Sequence, residues 1–295
     1  MSGRVVEDLV GKVAVITGGA SGIGLAIAEA FGAEGMKLVI ADIESARLDE
    51  AVGGLRAKGF EAIGVKTDVA RYDDVEALLR TTLAAFGKVH VVCNNAGVSI
   101  TGPTWQMSLD DWRWIYDVNF WGLVHGIKAF TPTLIAQDEP AYIINTASEA
   151  AFLGIGEHAP YCSSKAAAVS LSLALYSELI AANTKVGVSV VCPGMVDTQI
   201  HRSWRNRPEA DQPWSDRESA DVERRRHTDA FQARGVPPTQ VAEAVLSALK
   251  ANRFYVFNTD HWREMIRRQR DIVLSGENPP VYTWGADMRP PPGSA

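Results

Sequence analysis

Tyr161 and Lys165, in the stretch YCSSK, set a phenol four residues before an ammonium. On a helix, residues four apart share a face, so both groups can point at one reacting centre. The pair offers an acid/base with a charge beside it to favour the phenolate. Each residue alone has a plainer reading: Tyr161 as a buried aromatic whose hydroxyl finds a backbone partner, Lys165 as a solvated helix residue.

A second candidate lies near the start of the chain. TGGASGIG, Thr17 to Gly24, follows an apolar run and opens a helical pattern. Gly18, Gly22 and Gly24 let the backbone turn tightly and approach a pyrophosphate, whose charge is favoured by the amides and dipole of a helix N-terminus. The spacing is TGxxxGxG rather than GxGxxG, because Ile27 stands where the last small residue would fall. Any tight strand-to-helix turn can use glycine, so the loop alone leaves both readings open. Asp42 tips the balance. It ends KLVIAD, twenty residues after Gly22, where a carboxylate can accept hydrogen bonds from the ribose hydroxyls of NAD and would repel a 2′-phosphate. Neither Ala20, Ser21 nor Ile43 brings a compensating charge, so the expected cofactor is NAD rather than NADP. A strand-end Asp that caps the next turn is the alternative.

The elements that must position these groups alternate in type. KVAVIT, KLVIA, EAIGVK, VHVVCNNAG, AYIINTAS and VGVSVVCPG are short apolar runs separated by longer helical patterns, and RFYVFN near Arg253 supplies a seventh strand. That order predicts an α/β fold: a single doubly wound, Rossmann-type parallel sheet of about seven strands with helices on both faces. The helix from Ala166, AAAVSLSLALYSELIAA, is small or apolar nearly all round. It is expected to be covered on more than one side, at a subunit interface or within the domain.

Composition narrows the class. Hydrophobic residues make up 46% of the 295 and charged residues 22%, as in a globular protein rather than a disordered or membrane one. A net charge of -6 gives no overall attraction to nucleic acid. Cys93, Cys162 and Cys192 form no CxxC pair, and the six histidines are scattered without HExxH, so no disulfide framework or metal site is expected. There is no GxxxxGK[ST] and no GxSxG, which removes support for a P-loop NTPase or an α/β-hydrolase. No signal peptide or membrane-length run is visible, so the expectation is a cytoplasmic protein without membrane contact.

Taken together with Ser148, thirteen residues before Tyr161, the sequence resembles the short-chain dehydrogenase/reductase family over most of its length. The resemblance rests on TGGASGIG, Asp68-Val69, NNAG at Asn94 to Gly97, Asn119 in VNFWG, Ser148 with YCSSK, and Pro193-Gly194. It implies that Tyr161 is the acid/base, that Lys165 lowers its pKa and holds the nicotinamide ribose, that Ser148 orients the substrate oxygen and that Asn119 supports a water-linked proton path. It also implies cofactor contacts from Gly18, Ser21, Gly22, Ile23, Gly24, Asp42, Asp68, Val69, Asn95, Ala96, Gly97, Tyr161, Lys165, Pro193, Gly194, Val196 and Thr198, with Asn94 bracing the sheet. Lowering a tyrosine pKa from about 10 to about 7 takes about 4 kcal/mol. One charge at about 4 Å supplies about that much at an effective dielectric of about 20. Taken singly, Ser148 and Asn119 also read as an ordinary turn residue and a backbone-bonded polar residue.

The resemblance places a substrate lid around 199–235, where eight arginines and seven acids mingle; ERRRH at Glu223 reads as a solvated face. Trp204 and Trp214 could cover the site or pack at an oligomer contact. Trp105, Met107, Ala150, Ala151, Phe152 and Leu153 are expected to give the pocket an apolar lining, interrupted by charged Glu149, or else to build core or interface. Residues 1–259 are read as one dinucleotide-binding catalytic domain. The extension 260–295, with Trp262, Met265, Ile266 and Ile272 on a partly buried helix, is expected on the same domain or a neighbouring subunit. The expected function is hydride exchange between NAD(H) and a hydrophobic secondary alcohol or ketone, in a homodimer or homotetramer. A non-catalytic NAD-binding regulatory or scaffold protein is the rival from another class.

Overall fold

Seven parallel strands form one sheet in the order β3-β2-β1-β4-β5-β6-β7 in the computed structural model, which describes residue 6 and residues 8–208 and 232–282. The strands are β1 Val13–Thr17, β2 Lys37–Asp42, β3 Ala62–Lys66, β4 Val91–Asn94, β5 Ala141–Thr146, β6 Val186–Val191 and β7 Tyr255–Val256. Between them run helices α1 Gly22–Ala33, α2 Ser45–Ala57, α3 Tyr72–Phe86, α4 Leu109–Tyr116, α5 Gly122–Ala136, α6 Ala159–Ala181 and α7 Pro238–Ala251; α8, His261–Ser275, follows β7. This is the doubly wound α/β architecture expected from the alternating pattern.

Near-continuous apolar strands are what a sheet covered on both faces requires. Alternate residues of β1 divide between two cores: Ala14 and Ile16 pack with α1, α2 and α7, while Val13 and Val15 pack with α3, α5 and α6. The strand order reverses between β1 and β4, so the crossovers that follow them run to opposite sides of the sheet, the place where such folds open a crevice at the carboxyl ends of the strands.

The crevice floor is braced by a buried chain of amides. Asn94 Nδ2 donates to Asn145 Oδ1 at 2.9 Å, and Asn145 Nδ2 donates to Ser172 Oγ at 3.0 Å, tying β4, β5 and α6. Gly126 of α5 lets the helix sit directly on this brace, because a Cβ there would lie 2.0 Å from Asn94 Oδ1. Gly126→Ala is therefore expected to cost about 3 kcal/mol through overpacking and loss of the amide bonds. Denaturant unfolding checks this; an unchanged midpoint would mean that α5 can shift without cost.

Candidate active site

The end of β1 and the turn after β4 are held together by one hydroxyl. Thr17 Oγ1 accepts from the N–H groups of Asn95 at 2.9 Å and Ala96 at 3.1 Å, and Asn95 Nδ2 donates to Thr17 O at 3.0 Å. The two backbones touch at Gly18, whose φ is +62° and whose Cβ, if present, would lie 2.9 Å from Ala96 Cα. A side chain there would be strained as well as crowded. Ser21 caps α1 without any side-chain hydrogen bond, so the amides of the first turn remain available to an anion. At the end of β2, Asp42 Oδ2 accepts from Ala20 N–H and Oδ1 from Glu44 N–H, each at 3.1 Å. A narrow backbone cradle, uncapped amides and a strand-end carboxylate together fit a nicotinamide dinucleotide.

The proton-transfer candidates stand at the other end of the same cleft, whose volume is about 580 Å³. Pro160 in the first turn of α6 starts the helix that carries Tyr161 and Lys165. Lys165 Nζ lies 5.7 Å from the Tyr161 ring centroid and donates to Thr146 O at 2.9 Å. Ser148 lines the cleft with Tyr161, and its Oγ accepts from Ala150 N–H at 3.1 Å, which holds the hydroxyl at the head of a short 3-10 turn, Glu149–Phe152. Asn119 sits on a π-turn, Asp117–Trp121, between α4 and α5. Its Oδ1 accepts from Val98 N–H at 2.8 Å, and its Nδ2 donates to Val98 O at 3.0 Å and Ser164 Oγ at 3.2 Å. The side chain thus ties the loop after β4 to α6.

The profile of the family described as short chain dehydrogenase matches residues 12–209. This chain belongs to that family. A short chain dehydrogenase/reductase from Burkholderia phymatum, solved in complex with NAD, is 40% identical with a TM-score of 0.86, over 92% of this chain and 98% of that one. Among curated relatives, the 1-deoxy-11-beta-hydroxypentalenate dehydrogenase of Streptomyces exfoliatus is 33% identical over 93% of this chain and 94% of its own. A "CLA biosynthesis dehydrogenase/reductase" of Lactiplantibacillus plantarum is 31% identical over 96% of this chain and 100% of its own.

In this short chain dehydrogenase, all the expected cofactor and catalytic residues except Gly24 and Asn119 line the one cleft. Gly24 packs behind it, since a Cβ there would lie 2.2 Å from Gly18 O. Among the described residues there is no cluster of His, Cys, Asp or Glu suited to a metal, and no helix is long and apolar enough to cross a membrane.

Burial pushes the Tyr161 phenol up to about 12, opposed by the Ser148 side chain, and pulls the Lys165 ammonium down to about 8. Two expectations are corrected. Of the expected apolar lining, only Ala150 lines the cleft. Trp105 is 84% exposed, Met107 packs with Trp114 and Ile115, and the rings of Tyr255 and Phe257 flank Phe152. The apolar walls come instead from Ile100, Trp114, Ile155, Met195 and Ile200. Glu149 is no exposed charge. It is 1% exposed, and burial pushes its carboxyl up to about 10 against the pull of Thr259 and Arg263, although no hydrogen bond of normal geometry joins it to Thr259.

The strap across the cleft falls within the expected lid, 199–235, but its anchor on Glu44 was not read from the sequence. A 3-10 segment, Ile200–Asn206, crosses from the Thr198 end to Glu44, where Arg205 and Asn206 both donate to Glu44 Oε1. Next to it, buried Arg207 pairs with buried Asp111, the residue that also completes the N-terminal capping box of α4. Trp204 does not line the cleft. Trp214 and ERRRH at Glu223 lie outside the described residues, as does the rest of the expected lid, 209–231. The extension covers the site from behind: Met265 of α8 and Tyr282 pack with Leu153 and Ile155, and Gly156 N–H donates to Tyr282 O at 2.9 Å. Ile266 and Ile272 are half-buried, and the Trp262 side chain lies outside the described residues.

Proposed function

We propose that this enzyme exchanges hydride between NAD(H) and a hydrophobic secondary alcohol or ketone, with Tyr161 giving or taking the proton. When bound, the nicotinamide accepts or supplies the hydride. Ser148 orients the substrate oxygen toward the phenol, and the apolar walls keep water from competing. In reduction, the Tyr161 O–H bond breaks and its proton passes to the carbonyl oxygen. Oxidation starts from the phenolate and returns that proton. Lys165 beside the ring favours the phenolate while it is charged, and Asn119 fixes the loop that faces α6.

The observation that carries this reading is the meeting of Ser148, Tyr161 and buried Lys165, its Nζ 5.7 Å from the phenol ring centroid, in a cleft whose far end offers Asp42 and uncapped amides. Asp42 supports NAD over NADP. Exposed Leu173 and Ile180, seven apart on α6, support self-association through that helix. Fluorescence titration with NADH and NADPH, followed by turnover of aliphatic and aryl ketones and their alcohols, tests the reading. Tighter NADH binding and ketone-dependent NADH oxidation are expected. Tighter NADPH binding would overturn the cofactor assignment, and NADH binding without turnover of any ketone or alcohol would favour a non-catalytic dinucleotide binder.

A further inference from the structure

The strap delivers a cation to the ribose end of the cleft, and Glu44 holds it. Glu44 N–H donates to Asp42 Oδ1, so the two acids are neighbours, but the Glu44 carboxylate turns to the strap. Its Oε1 accepts from Arg205 Nε at 3.0 Å, Arg205 Nη2 at 2.8 Å and Asn206 Nδ2 at 3.0 Å. Its Oε2 faces Arg47 Nε at 3.1 Å. Arg205 Nη1 donates to the carbonyls of Gln199 and Arg202, so the guanidinium is fixed in place, and its Nε and Nη2 are both committed to one carboxylate. Asp42, Glu44, Arg205 and Asn206 all line the cleft.

A guanidinium fork pairs well with a phosphate dianion, which offers the same planar pairing as a carboxylate with more charge. An arginine at this end of the cleft would thus admit a 2′-phosphate unless something else filled its fork. We propose that the Glu44–Arg205 pair is a second determinant of cofactor choice: Glu44 occupies the guanidinium that would otherwise recognise the 2′-phosphate of NADP. This rests on the reading of the enzyme as NAD-preferring and adds to it a residue pair 161 positions apart in the chain. Burial would raise the Glu44 pKa, yet the hydrogen bonds of Arg205 and Asn206 and the charges of Arg205 and Arg47 bring it below the ordinary carboxylate value. The acid therefore stays charged and keeps the fork filled at neutral pH.

NADH and NADPH dissociation constants, measured by fluorescence on the full-length wild type, Glu44→Gln, Arg205→Gln and the double variant, test the pair. In Glu44→Gln the ratio of NADPH to NADH affinity should rise roughly tenfold, the scale of one charge-assisted hydrogen-bonded pair. The rise should vanish in the double variant, because it needs Arg205. A ratio unchanged in Glu44→Gln, or a rise that persists without Arg205, would overturn the proposal. Wild type that itself prefers NADPH would instead remove the NAD reading on which it rests.

Discussion

Replacing Tyr161 with Phe should leave NADH binding intact and slow ketone reduction roughly a thousandfold, within the range general acid catalysis supplies. The substitution deletes one oxygen and keeps the ring, so the packing of Tyr161 against Ala150, Leu153 and Ile155 survives. What disappears is the phenolic O–H that shares the cleft with Ser148 and Lys165. Burial favours the protonated phenol, pushed up to about 12, so at neutral pH the group holds the proton that reduction consumes. Oxidation of the alcohol draws on the phenolate, whose share grows about tenfold for each pH unit below the pKa. Oxidation by the wild type should therefore climb with pH, and Tyr161→Phe should lose that climb. Steady-state rates beside fluorescence titrations separate the two effects; weak NADH binding by the variant would point to a structural role instead.

Lys165→Met is expected to give a more stable protein that turns over roughly a hundredfold more slowly, an effect of the size seen when a preorganised charge is removed from a site. Lys165 is 2% exposed, and burial pulls its pKa from 10.5 down to about 8. Between about pH 8 and 10.5 the folded state therefore releases a proton that the unfolded chain retains. Holding the ammonium in place costs about 3 kcal/mol at neutral pH. The cost is present in full below about 8 and fades as pH rises toward 10.5, where the unfolded chain also loses the proton. Methionine removes the charge but strands the Thr146 carbonyl, which loses its 2.9 Å partner at about 1 kcal/mol. A net gain of about 2 kcal/mol should remain. Denaturant midpoints across the pH range measure it. The gain should shrink as pH climbs; a loss of stability at neutral pH would mean that the ammonium is better paired than its surroundings indicate.

What could be read in the chain follows from the range over which each signal acts. Strand and helix alternation is local, and all seven strands fall where apolar runs meet turn residues. The glycine turn was legible because Gly18 needs a positive φ and Gly24 packs on the Gly18 carbonyl of the same loop. Asp42 was legible because strand length fixes where a strand-end carboxylate stands. The Glu44–Arg205 contact was not, because nothing in the neighbourhood of either residue reports a partner in a strap far along the chain. The π-turn that presents Asn119 was equally hidden, since one extra residue in a helix leaves little trace in the pattern. Burial misled in a different way. Tyr161 and Lys165 do meet, but a pair tuned by charge in the sequence is tuned first by desolvation in the fold, and Glu149, charged by residue type, is held as an acid. Trp105 shows the converse, an aromatic beside a site-forming loop that turns to solvent.

The most direct test is a single-turnover, stopped-flow reduction of a ketone by enzyme-bound NADH, run in H2O and in D2O for the wild type and for Tyr161→Phe. Proton delivery from the phenol predicts that the wild-type NADH decay slows in D2O and that the variant, with NADH bound, decays far more slowly. A wild-type decay indifferent to D2O together with an undiminished decay in Tyr161→Phe would contradict the assignment of the proton to this residue.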